Sequence, residues 1–187
     1  MLLHIIIKLL NYGLIEHYKS IANSVSLPII LYNVPSRTGM NILPETCLEL
    51  SKIDNIVGIK EASGNISQIT KISSLCGDNL FIYSGNDDQI VPILSIGGQG
   101  VISVLSNINP SLVLNTVNSF FDGNIKKSCE YQFKSLQIID ALFKETNPIP
   151  VKEALNLLGF NFGEPRLPLI KCSESLKKEL KNLINIS

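Results

Sequence analysis

Four short apolar, β-prone runs alternate strictly with helix patterns, and no strand pattern follows the fourth. The runs are Pro28–Val34, Asn55–Glu61, Leu80–Ser84 and Gly100–Leu105. A helix pattern precedes them from Gly13 to about Val25, with Leu14, Tyr18 and Ile21 on one face. Pro44 to Lys52 is a helix that Pro44 starts from its first turn. Ile66 to Leu75 is another, with Asn65 as its cap. Asp87 to Ile96 contains a helix in spite of Pro92, and Pro110 to Phe121 opens a further one. Such alternation implies a parallel sheet with right-handed crossovers. Pro28–Val34 reads as a fully buried strand, and Pro35–Gly39 as a loop rich in turn residues. Beyond Ile125 the pattern is helical only: Ser128–Lys144, Val151–Leu158 and Ser173–Leu183, separated by Pro-rich segments at 147–150 and 164–168. The chain therefore divides into an α/β part over 13–124 and a helical domain over 125–187.

Four strands are too few for a closed (β/α)8 barrel, which takes eight strands and about 250 residues. The 187 residues suit one core better than two. The chain is either an open α/β sheet or the second half of a barrel. Hydrophobic residues make up 45% and charged residues 17%, which excludes a disordered chain. Sixteen basic and sixteen acidic residues cancel, so there is no basic excess for nucleic acid and no polybasic membrane patch. The apolar start, Met1–Leu10, contains His4 and Lys8 and is too short to span a bilayer. It lacks a basic start and a small-residue cleavage site, unlike a secretory signal. The four cysteines are dispersed without a C-x-x-C pair, which fits a reducing cytosol and a cytoplasmic protein.

Two polar tips carry the chemistry. Lys60 closes the run Ile56–Glu61, and Tyr32 closes the run one strand–helix unit earlier. A lysine where a barrel strand empties into a site, beside a phenol, points to a Schiff-base lysine with a proton shuttle. An amine attacks a ketone only when unprotonated, so an apolar wall is required. Val57 and Ile59 alternate away from the Lys60 face, and neighbouring strands must supply that wall. Taken singly, each residue has a blander reading: a solvated charge for Lys60, a rim aromatic for Tyr32, a surface charge for Arg37. The Asp87-Asp88 pair reads as a helix cap in preference to a metal ligand set. Gly97-Gly98-Gln99-Gly100 precedes a strand, so it reads as a tight turn in preference to a phosphate cradle. His4 and His17 lack ligand partners at useful spacing, and Cys47 and Cys76 read as buried helix residues. No metal and no cofactor is expected.

Tyr32-Asn33-Val34-Pro35-Ser36-Arg37-Thr38-Gly39 and Gly58-Ile59-Lys60-Glu61-Ala62-Ser63-Gly64-Asn65 closely resemble segments of the dihydrodipicolinate synthase family. The resemblance continues through Ser84–Asp87, Gly97–Val104 and Asn147–Lys152, and covers Gly13 to the C-terminus. It implies the C-terminal half of a (β/α)8 TIM barrel, with four strands, followed by a C-terminal helical domain. It further implies a lyase of lysine (diaminopimelate) biosynthesis that condenses pyruvate with aspartate 4-semialdehyde. By resemblance Lys60 forms the imine with pyruvate and Tyr32 moves protons. Arg37 holds the carboxylate of the second substrate, and Gly85 and Ile102 present backbone groups near pyruvate. A homo-oligomer is implied, a tetramer in the full-length family. The alternatives are another pyruvate aldolase, such as N-acetylneuraminate lyase or a keto-sugar-acid aldolase, and a non-catalytic remnant of an interrupted gene.

The family places four more strands before Gly13, with a threonine and a second tyrosine of the proton relay. At roughly 30 residues per unit that is on the order of 100 residues. Residues 1–12 do not fit the family pattern. One back-translation of Leu3–Asn11, read one base earlier, gives Thr-Pro-Tyr-Tyr-Asn-Lys-Thr-Thr-Gln, which does. Residues 1–12 are therefore expected to be an out-of-frame leader.

Overall fold

The computed structural model describes residues 11–184. Most of the expected leader, residues 1–10, lies outside the described residues, while Asn11 and Tyr12 open the first helix. In chain order the elements are α1 (Asn11–Ser24), β1 (Ile29–Asn33), α2 (Pro35–Thr38), α3 (Pro44–Leu50), β2 (Ile56–Glu61), α4 (Ile66–Cys76) and β3 (Phe81–Ser84). Then come α5 (Ile90–Ser95), β4 (Gly100–Val101), α6 (Pro110–Phe121), α7 (Ile125–Phe143), α8 (Ile149–Leu157) and α9 (Glu174–Ile184). The four strands form one parallel sheet in the order β1-β2-β3-β4. The alternation predicts this parallel sheet, and the family resemblance implies that it is half of a barrel.

The helix starts follow local chemistry. Pro44 and Pro110 occupy first-turn positions, where a missing N–H costs nothing. Asn65, Asn109 and Asn124 each accept a hydrogen bond from the backbone N–H three residues on. Those bonds satisfy donors that the helix itself leaves unpaired, at about 1 kcal/mol per cap.

Four expectations need correction. Pro35–Gly39 is not an open loop: Pro35–Thr38 is one helical turn, closed by Gly39 at a left-handed φ of 68°. The strand Pro28–Val34 is not fully buried. Ile30 and Tyr32 are 47% and 43% exposed, whereas Leu31 and Asn33 are each 1% exposed. The same parity runs through the sheet: Phe81 and Ile102 are exposed while Ile59, Glu61, Ile82 and Ser84 are buried. A fully buried strand needs cover on both faces of its sheet, and the described residues cover only one. The fourth strand is two residues long instead of six. Downstream, Asp87 Oδ2 accepts from Val104 N (2.9 Å) and Leu105 N (3.0 Å), and Ser103 Oγ accepts from Ser106 N (2.8 Å). Side chains take the backbone donors that a ladder would need. Asp87 thus caps a distant turn, Leu105–Asn107, and not its own helix.

The chain folds as two compact units. Among the described residues, one comprises 11–86 together with Pro92–Ile102, and the other Asp87–Val91 with 103–184. The first has a core of Leu31, Ile59, Ile69, Ile72, Ile82 and Ile93, all at most 3% exposed, under α3 and α4. Each such side chain contributes about 1.5–3 kcal/mol on burial. In the second unit α7 packs on α6 and α9, and α8 on α9. Gln132 on α7 donates to Asp87 O (2.9 Å) and accepts from Val91 N (3.3 Å).

Cys47 and Cys76 lie buried in α3 and α4, as expected of apolar helix positions. Burial pushes both thiols up. Cys172 is pushed up to about 11, by burial first and by Glu145 and Glu153 next. Alkylation needs an accessible thiolate. Iodoacetamide should therefore modify the half-buried Cys129 first and Cys47 last, read by peptide mass spectrometry over time. Equal rates at the two would contradict the packing described.

Candidate active site

The candidate residues all fall in the first unit. Tyr32 and Lys60 are register partners at the C-terminal ends of β1 and β2, and Tyr83 is the partner of Lys60 on β3. The Lys60 Nζ stands 4.3 Å from the centroid of the Tyr32 ring. Tyr32 and Tyr83 thus flank Lys60 on the two neighbouring strands. Tyr83 carries no signal in the sequence beyond its place in a strand. Only the register reveals it.

Gly85 abuts the lysine. A Cβ added there would lie 3.1 Å from Lys60 Cε, 3.1 Å from Glu61 O and 2.7 Å from Ala62 Cβ. Its own N–H donates to Glu61 O at 2.7 Å. Only a residue without a side chain lets this backbone pass so close to the amine. One residue beyond β4, Ile102 donates its N–H to Ser84 O (2.8 Å), so the segment continues alongside the end of β3. Ile102 is 40% exposed on the same face as Tyr32. Arg37 sits exposed on α2, the turn that follows β1. Among the described residues it shares no hydrogen bond or ion pair with Lys60 or Tyr32. The structure therefore brings Tyr32, Lys60 and Gly85 together, places Ile102 on their face, and leaves Arg37 on the adjoining helical turn α2.

A buried polar cluster lies behind this site, and the sequence reading missed it. Glu61 is fully buried. Its Oε1 accepts from Asn33 Nδ2 (2.9 Å) and Ser63 N (3.0 Å), and its Oε2 from Gln68 Nε2 (3.3 Å). Asn41 joins by accepting from Asn33 Nδ2 (2.9 Å) and donating to Gln68 Oε1 (2.7 Å). A charged residue inside an apolar run was the available signal, since a carboxylate is seldom buried unless it is hydrogen-bonded.

Burial pushes the Glu61 carboxyl above its ordinary 4.5, and the bonds from Ser63, Gln68 and Asn33 offset part of the rise. A carboxyl whose pKa is raised on folding binds its proton more tightly in the folded state. Its contribution to stability is therefore greatest below about 4.5 and declines as pH rises through the folded value. Glutamine does not titrate. In thermal melts from about pH 4 to 8, native stability should fall relative to Glu61→Gln as pH rises. A gap in melting temperature that stays constant would exclude this titration.

The Dihydrodipicolinate synthetase family matches the chain over residues 6–187. The chain is 60% identical over 172 residues to the 4-hydroxy-tetrahydrodipicolinate synthase of Caldicellulosiruptor saccharolyticus, covering 92% of the chain and 58% of that protein. It is 57% identical over 173 residues to 4-hydroxy-tetrahydrodipicolinate synthase 1 of Clostridium acetobutylicum, covering 90% and 59%. The crystal structure of dihydrodipicolinate synthase from Thermotoga maritima superposes with a TM-score of 0.93 at 45% identity, over 96% of the chain and 62% of that structure. That from Aquifex aeolicus gives 0.93 at 36% identity, over 96% and 61%. The chain thus spans about three fifths of the length of the relatives it matches. With a family match over residues 6–187 and relatives up to 60% identical along nearly its whole length, the chain belongs to the dihydrodipicolinate synthetase family.

Proposed function

We propose that this chain carries the pyruvate-imine site of a 4-hydroxy-tetrahydrodipicolinate synthase, the lyase that condenses pyruvate with aspartate 4-semialdehyde in lysine (diaminopimelate) biosynthesis. The observation that carries the reading is the Lys60 amine 4.3 Å over the Tyr32 ring at adjoining strand ends. The Lys60 amine adds to the pyruvate ketone, the carbinolamine loses water, and an imine remains. The Tyr32 hydroxyl relays the protons of these steps. Loss of a methyl proton gives the enamine, whose carbon attacks the aldehyde of the second substrate. Arg37 offers that substrate's carboxylate a planar fork. Gly85 leaves the space beside the amine, and Ile102 lines the same face.

A second reading is a non-catalytic remnant that associates with itself. The exposed Ile30, Tyr32, Phe81 and Ile102 on one sheet face favour it, because parallel sheets are normally covered on both faces. One experiment separates the two. The purified chain is incubated with pyruvate and sodium borohydride, alone and with the part of the Caldicellulosiruptor saccharolyticus relative that it does not cover. An N-carboxyethyl adduct on Lys60 in either mixture supports the imine site. Its absence from both supports the remnant.

A further inference from the structure

Tyr32 and Lys60 stand on the open face of the sheet. The next residue of each strand, Asn33 and Glu61, turns to the helix-covered face, where both are buried. We propose that Glu61 is a positioning residue that fixes the Lys60 amine against Tyr32 and, through Asn33, anchors the base of the Arg37 loop. The inference rests on the reading of Lys60 and Tyr32 as the reacting pair.

The ladder between β1 and β2 ends at Asn33 and Glu61. Beyond it, Ala62 N donates to Asn33 O (2.9 Å) and Gly85 N to Glu61 O (2.7 Å). The Glu61 carboxylate reinforces this last step from the side. Through Asn33 it holds the end of β1, through Ser63 the turn after β2, and through Gln68 the helix α4. Its donors are all neutral, so what it supplies is direction more than charge pairing.

The amide of Asn33 is fully committed. Its Nδ2 serves Glu61 and Asn41, and its Oδ1 accepts from Ile42 N (3.0 Å). Residues 34–41, which carry Arg37, are therefore closed at their base by one side chain. Asn33 and Glu61 each directly follow a residue of the reacting pair. Movement of either strand end behind the sheet displaces Tyr32 and Lys60 in front of it.

The test reads the lysine directly. In protein labelled with 13C at the lysine ε carbons, the Lys60 signal is assigned by its loss in Lys60→Arg, and the Tyr32 ring current shifts it. Glu61→Ala, folded by circular dichroism, should return this signal toward that of exposed lysines. It should also slow pyruvate trapping by about 10²-fold, the scale of a misplacement near 1 Å. Glu61→Gln, which keeps the volume and one acceptor, should fall between. Ile93→Val, a core change on α5, which supplies no residue to the cluster, should lower the melting temperature and leave the Lys60 signal in place.

An unmoved Lys60 signal and trapping rate in folded Glu61→Ala would overturn the proposal. If that variant does not fold, Glu61→Gln with native signal and rate overturns it. A native chain that traps no pyruvate, either alone or paired with the uncovered part of its relative, refutes the imine reading. A Lys60 signal that still moves in the Glu61 variants then upholds the positioning role on its own.

Discussion

Replacing Lys60 with alanine is expected to abolish borohydride-dependent capture of pyruvate, and Tyr32→Phe to slow turnover by about 10²- to 10⁴-fold with the fold intact. The two effects differ in kind. Lys60→Ala removes the nucleophile, and no other lysine occupies a strand end beside Tyr32 among the described residues. Tyr32→Phe removes one hydroxyl and keeps the ring under the lysine amine. The ring contact then survives while the hydroxyl is lost. Trapping rates and steady-state turnover, measured with the chain paired with the uncovered part of its relative, separate these effects. Full turnover in Tyr32→Phe would remove the hydroxyl from the relay.

Arg37→Ala is expected to raise KM for aspartate 4-semialdehyde far more than KM for pyruvate. A lost charged hydrogen bond costs about 1.5–3 kcal/mol, which is about 10- to 150-fold in affinity. The structure motivates the split. Arg37 is exposed on the turn after β1, without a bond to the Lys60–Tyr32 pair, and so stands apart from where the imine forms. Imine trapping should survive in Arg37→Ala. Arg37→Lys should restore only part of the loss, because a point charge does not reproduce the planar fork. Equal losses for both substrates would make Arg37 part of the scaffold. A preference for a sugar-derived aldehyde would move the chain to the N-acetylneuraminate lyase type of aldolase.

Much of the architecture was legible because it is written locally. Strands and helices announced themselves through period and breakers, and Asn65 and Pro44 act where the sequence placed them. The errors lie where side chains from distant segments intervene. The fourth strand stops early because Asp87, some seventeen residues upstream, takes the backbone donors of Val104 and Leu105. The Asp87-Asp88 pair looked like a local cap, and proximity in sequence misled. Burial pushes the Asp88 carboxyl up, with Asp87 and Asp140 adding to the rise, and the contribution of Asp140 on α7 comes from tertiary packing alone.

By itself the sequence determined the alternating parallel fold and the pair of strand-end residues, because side-chain period and chain order fix which residues finish each strand. Tertiary structure alone decided which face of that sheet is covered, that Tyr83 flanks Lys60, and that Glu61 is buried among Asn33, Asn41, Ser63 and Gln68. The physical reason is the same in each case. Strand register and helix packing join residues far apart in the chain, and a buried carboxylate is tolerated only where several such segments bring it hydrogen-bond donors.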